Sequence, residues 1–333
     1  MKTFKNILQV VSTGYIFVYF SEHVFWARVR PDDSLGGWLG AWIAYSLMAF
    51  IFLGLVSYFR VKNIWALYLA GAAFGWVDEG IVVQTAYEML PLSISFTGLA
   101  WHALITVWVG WYAVRKSLVS ADAWSTLKLA AIVGFFYGLW SISWWIEPPP
   151  DGGVSPVPQF AIYSFATTGF VILSYWLANW SSSEQFVPNR WAVVLIAGIT
   201  VLYFCFITIP AAPVSVVILP ILLGLVYWAL AKNRSAEEQG SLLNLLSGPI
   251  SIWKYISLFA LPLVALLVYT LAMALGLAWA TNLLLYVITT PLGFILFGIS
   301  LYTAGRKKLN LYSKGSGSQV QDTSMGEDFP NHS

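Results

Sequence analysis

The sequence predicts an all-α, polytopic integral membrane protein with about ten transmembrane helices and both termini cytoplasmic. Three observations predict it. Of the 333 residues, 59% are hydrophobic and 10% are charged, against roughly 25% charged in a soluble domain. Apolar runs of span length, about 20 residues each, recur along the chain. Of the 17 Lys and Arg, all but Arg28 and Arg30 fall on one side when ten spans are threaded with the N-terminus inside, as the positive-inside rule requires.

The opening "MKTFKNILQVVSTGYIFVYF" begins like a signal peptide. The apolar run continues to Glu22 and His23 with no small-residue cleavage site, so residues 7–28 are read as a retained first span. The next three spans cover 37–59, 64–88 and 92–114, with Pro91 stopping the helix at the turn between the third and fourth. Spans five (126–146) and six (159–179) flank "EPPPDGGVSPVP" (147–158). Its prolines stiffen that loop towards polyproline II, as a rigid connector or an outer lid. Spans seven (191–209) and eight (213–231) are divided only by "IPAAP". Joining them into one kinked helix would put Lys232 and Arg234 outside, so two spans are kept. Spans nine and ten cover 255–278 and 281–304.

"SLLNLLSGP" (241–249) reads as a short interfacial helix, and the residues from Ser313 as a disordered tail. Residues 1–146 therefore carry the ionisable site and 147–158 form the Pro-rich outer loop. Residues 159–304 make an apolar second half, and 305–333 a basic, then disordered, cytoplasmic tail. No internal repeat aligns the two halves.

The ionisable residues at membrane depth are Glu22, His23, Asp78, Glu79 and His102, all in the first four spans. A carboxylate near the bilayer centre costs ~2.5–3.5 kcal/mol on insertion scales, so such residues face the protein interior and have partners. Glu79 lies about eleven residues before the turn at Leu90–Pro91, and His102 about eleven after it. At about 1.5 Å per residue both sit roughly 17 Å below the turn, level with each other. Gly71, Gly75 and Glu79 share one face of span three. Gly98, His102, Thr106 and Gly110 share one face of span four. Small residues let membrane helices approach closely, so these stripes predict a packed interface enclosing a Glu79–His102 pair. That pair either locks the hairpin or binds a proton or substrate. Asp78 points about 100° away and is left without a partner.

Glu22 and His23 lie nearer the outer surface, where Tyr15, Tyr19 and His23 form a stripe suited to a hydrogen-bonded path. Trp26, Trp38, Trp42, Trp144 and Trp145 cluster at that level as an aromatic belt. Trp26, Trp144 and Trp145 are also candidates for an outer wall against a lipid headgroup or sugar. No H-x-x-x-H or H-E-x-x-H occurs. His23, His102 and Glu79 are the nearest approach to a two-His, one-carboxylate metal set, and no resident metal or cofactor is expected. The single cysteine, Cys205, excludes an intrachain disulfide.

No Gly-rich phosphate loop precedes a helix on the cytoplasmic side, and no basic patch suggests a nucleic-acid partner. The expected partners are the bilayer and a small-molecule or lipid substrate. The expected function is a small-molecule or proton-coupled transporter of the plasma (cytoplasmic) membrane. One alternative is a membrane-embedded hydrolase or transferase acting on a lipid or lipid-linked substrate from the outer leaflet, with His102 or Glu79 as general base. The other is a non-catalytic partner subunit. The span architecture favours the first, while spans six to ten offer it no intramembrane charge.

Overall fold

A computed structural model describes residues 2–119, 122–149, 151–182, 186–234 and 242–306. The described residues are helix and connecting turns, with no strand. Among the described residues, eight helices are long and apolar enough to cross a membrane. They are labelled here α2 (Leu35–Tyr58), α4 (Ile94–Val119), α5 (Ala123–Ser143), α6 (Val157–Ser181), α7 (Arg190–Ala211), α8 (Ser215–Asn233), α9 (Ile252–Ala274) and α10 (Thr281–Gly305). Two further rods, α1 (2–26) and α3 (64–82), are helical throughout but interrupted by one wide turn each. The predicted disordered tail lies outside the described residues. In the stretch 241–249, one helical turn forms at Leu242–Leu245.

Side-chain oxygens start several rods by accepting a first-turn N–H: Ser34 for α2, Asn63 for α3, Asp122 for α5 and Asn189 for α7. Such caps satisfy donors that the helix itself leaves unpaired. The separation of spans seven and eight is real in the fold. α7 stops at Ala211, Ala212 leaves helical geometry, and α8 restarts at Ser215.

Hydrogen bonds between rod ends sort into two sets. At one end Asn6 donates to Val187 O, Ser57 to Phe186 O, Asn63 to Asn233 Oδ1, and Lys254 Nζ to Leu118 O. At the other, Trp140 and Trp144 both donate to Phe25 O, Asn282 donates to Glu147, and Thr208 to Ile81 O. Successive rods therefore run up and down. α3 sits at the centre, against α2, α4, α8 and α10, and every residue from Ala66 to Val77 is buried. α1 packs on α2, α4 and α6, while α5 packs on α9 and α10.

The rods that carry the ionisable residues are not regular α-helices. In α1 the Val24 N–H donates to Tyr19 O, and in α3 the Val83 N–H donates to Asp78 O, each five residues back. α4 holds this i→i+5 pattern from Ile94 to Ala113. Such widened turns are rare and recur at functional sites. Side chains of neighbouring rods occupy the carbonyls of α4: Trp76 Nε1–H donates to Ile94 O, Tyr68 O–H to Leu99 O, and Tyr175 O–H to Gly110 O.

Two expectations need correction. Span three does not reach residue 88. α3 ends at Val82, Gln84 takes a left-handed backbone (φ 69°), and Thr85–Tyr87 forms a 3₁₀ turn. The apolar composition of residues 81–90 masked that break. The Pro-rich loop 147–158 is not an extended strut either. Gly152 N–H donates to Pro148 O and Gly153 N–H to Trp144 O, which folds the loop back. Arg28 and Tyr269 then tie down Gly153 O and Ser155 O.

Candidate functional site

The small residues of α3 make room for the site. A methyl on Gly75 would come within 2.5 Å of Gly98 O and 2.7 Å of His102 Cβ. That close approach sets His102 beside the last turn of α3, where Glu79 emerges. His102 Nε2 lies 2.7 Å from Glu79 Oε1, with His102 1% exposed and the Glu79 side chain 15% exposed. The two are level, as counting from the turn predicts, although residues 83–91 are not α-helix. Thr85 Oγ1–H donates to the other Glu79 oxygen, so the folded-back segment caps the acid.

The stripe on α4 divides. Gly98 and His102 face α3, whereas a methyl on Gly110 would strike the ring of Phe20 on α1. Thr106 also turns to α1, through Ser21. The stripe therefore winds from α3 towards α1 along α4.

Asp78 overturns a geometric expectation. It does not point away from the pair. Its Oδ2 lies 3.6 Å from His102 Nε2, and Asp78 opens the wide turn Asp78–Val82. Asp78 is 5% exposed, and Oδ2 has no hydrogen-bond partner among the described residues. Asp78, Glu79 and His102 each offer an atom within 4.8 Å of the others.

α1 completes the cluster with a residue that sequence reasoning passed over. Ser21 Oγ lies 3.1 Å from His102 Nδ1 and 3.0 Å from Thr106 Oγ1. The next residue, Glu22, accepts from Tyr45 O–H of α2 at 2.7 Å and from Trp26 Nε1–H at 3.1 Å. Tyr45 is also close enough to Asp78 to interact with it. Serines and threonines in apolar helices usually bond their own preceding turn, as Thr97 and Ser174 do here, so Ser21 gave no signal in the sequence.

His23 stands apart, and the set His23, His102 and Glu79 does not assemble. His23 Nδ1 bonds Tyr163 O–H of α6 at 3.0 Å, because adjacent residues on α1 diverge to opposite neighbours. With Tyr15, Trp38, Trp42, Tyr163 and Arg28 it lines a largely apolar cavity of about 790 Å³ between α1, α2 and α6. Tyr19 of the same stripe is fully buried and bonds Thr168. A second cavity of about 600 Å³ lies between α2, α7 and α8. Neither cavity is lined by Ser21, Asp78, Glu79 or His102.

The outer tryptophans pack mainly on the protein itself. Trp26 stacks on Trp144 at 4.9 Å and carries the Arg30 guanidinium over its ring at 4.1 Å. Trp145 Nε1–H donates to Tyr269. The chain matches no family model, no curated protein and no solved structure.

Proposed function

We propose that the chain is a proton-coupled transporter that crosses the plasma membrane ten times, with both ends cytoplasmic. The observation that carries the reading is the hydrogen-bonded chain Thr85–Glu79–His102–Ser21–Thr106. An imidazole held by a carboxylate at Nε2 and a hydroxyl at Nδ1 can give up a proton at one nitrogen and regain it at the other. Thr85, in the partly buried connection after α3, is the entry. Thr106, one turn further along α4, is the inner end. The topology rests on the basic residues, since all but Arg28 and Arg30 fall on the cytoplasmic side. In that orientation Glu22, Asp78 and Glu79 lie in the outer half. The apolar second half then serves as the scaffold against which the α1–α4 group moves.

The test is pH-driven flux in proteoliposomes. Wild-type protein is expected to carry protons with a solute, and Glu79→Gln and His102→Phe to stop both. A second reading has one specific observation behind it. Ser21 O–H, His102 and Glu79 follow the hydrogen-bond order of a serine nucleophile, its base and the orienting acid. Against it, Ser21 is 5% exposed and borders neither large cavity. Covalent labelling of Ser21 by a fluorophosphonate, with a lipid precursor accumulating in cells lacking the protein, would move the assignment to an enzyme. Neither flux nor labelling would leave a non-catalytic partner subunit.

A further inference from the structure

Three carboxylates gather around one imidazole in the α1–α4 group. His102 is the ion-pair partner that both Asp78 and Glu79 have among the described residues, and Glu22 lies within electrostatic range of it. Ionised carboxylates out of contact with water need countercharge, and one imidazolium offsets at most one of them. Asp78 shows the shortfall directly. Its carboxylate is 5% exposed, and Oδ2 points towards His102 Nε2 without a hydrogen bond.

The geometry fits a small cation. Zinc-type ions bind imidazole nitrogen and carboxylate oxygen at about 2.0–2.2 Å, which in a tetrahedral site separates neighbouring donor atoms by about 3.3 Å. The Asp78–His102 separation is 3.6 Å and the Glu79–His102 separation 2.7 Å. All three donor atoms lie within 4.8 Å of one another, so the ligands close around an ion that replaces the proton between Glu79 and His102. Each ligand is already braced: Ser21 holds His102 at Nδ1, Thr85 holds Glu79, and Tyr45 flanks Asp78. Outer partners of this kind orient metal ligands and raise affinity. One imidazole with two carboxylates suits borderline divalent ions such as Zn²⁺, Fe²⁺ or Mn²⁺ better than Cu⁺, which prefers sulfur. Three protein ligands leave a coordination position open, as exchange requires.

We infer that Asp78, Glu79 and His102 bind a divalent first-row transition-metal ion, and that this ion is the transported species. The inference rests on the transporter reading for the word transported, and on the cluster alone for the binding site. The full chain, stripped with chelator and held in detergent or nanodiscs, is titrated with Zn²⁺, Mn²⁺ and Co²⁺, the last also read by its visible spectrum. One ion per chain is expected, bound more weakly as the pH falls, because the ligands must be deprotonated. Ca²⁺ at equal concentration should not compete. Asp78→Asn and Glu79→Gln should each weaken binding by about tenfold or more, and Glu147→Gln, at the distant Asn282 contact, should not.

Wild-type titration decides the matter even if a variant fails to fold. A wild-type chain with no saturable site overturns the inference, as does a folded Asp78→Asn, Glu79→Gln double variant that binds like wild type. Proton flux in vesicles without metal binding removes the metal and keeps the proton-coupled reading. One bound ion with no ion or proton crossing the vesicle overturns the transport half and supports the site.

Discussion

The α3–α4 and α7–α8 hairpins are both apolar, yet they occupy opposite places in the fold. α3 is buried along its length from Ala66 to Val77, while no residue of Arg190–Tyr203 in α7 is buried. Among the eight helices long enough to cross a membrane, α7 is the most apolar and the least buried, and α4 the least apolar and the most buried. In a bilayer the apolar surface faces lipid, so nothing drives it inward. The interior is built instead from small residues that admit close backbone approach, and from polar groups that must find partners. The comparison teaches where to look for function here: in the least hydrophobic helix, beside the one most densely made of Gly and Ala.

The largest expected effect breaks the polar half of that contrast. His102→Phe leaves Glu79 and Asp78 buried without their common partner. Removing one member of a buried ion pair costs about 3–5 kcal/mol. Glu79→Gln keeps a hydrogen-bonding side chain and should cost less. Thermal unfolding of both single variants and the double, in detergent and in lipid, should show a coupling above about 1 kcal/mol. Two stable singles without coupling would mean that the pair holds nothing together.

Gly75→Ala attacks the packing half. The added methyl meets backbone, Gly98 O at 2.5 Å, as well as His102 Cβ at 2.7 Å. α4 must move as a body, and overpacking of this kind costs about 1–3 kcal/mol. The same shift displaces His102 from Glu79, so any flux or metal binding should fall together with the melting temperature. A variant that melts lower but functions normally would separate the site from the helix contact.

Ser21→Ala has a smaller effect, since a lost neutral hydrogen bond is worth about 0.5–1.5 kcal/mol. It removes the group that holds His102 at Nδ1 and so sharpens the contrast within the site. Stability should change little while proton transfer, if it runs through Ser21, is lost. Full flux in Ser21→Ala would end the relay at His102.

How much of this the chain disclosed depends on which physics each feature uses. Helices were legible because apolar runs of span length have few other uses. The level pairing of Glu79 and His102 was legible because two antiparallel rods leaving one turn keep equal depth. The role of Asp78 was not, since a helical wheel gives the direction of a Cβ and not the reach of a side chain across a close helix contact. Ser21, Tyr45 and Thr85 were invisible for another reason. Each acts across a tertiary contact, and a hydroxyl in an apolar helix carries no sequence sign of whether it bonds its own turn or a neighbour. His23 failed in the converse way: adjacent to Glu22, it belongs to the cavity on the α6 side.

The smallest effect is expected at Gly198, the counterpart of Gly75 on α7. A methyl there meets nothing within 4 Å, and Val194, Leu195 and Ile199 around it are exposed. With no steric cost, Gly198→Ala retains only the backbone term: alanine loses less freedom than glycine on entering a helix, a gain of roughly 0.5–1 kcal/mol. The melting temperature should rise slightly, and flux should not change. Opposite signs for the same substitution at Gly75 and Gly198 would confirm that one hairpin is interior and the other faces lipid. A clear loss at Gly198 would carry a different lesson. The face of α7 would then be covered in the membrane, by a second copy or another protein, and the apolarity of this helix would be that of an interface.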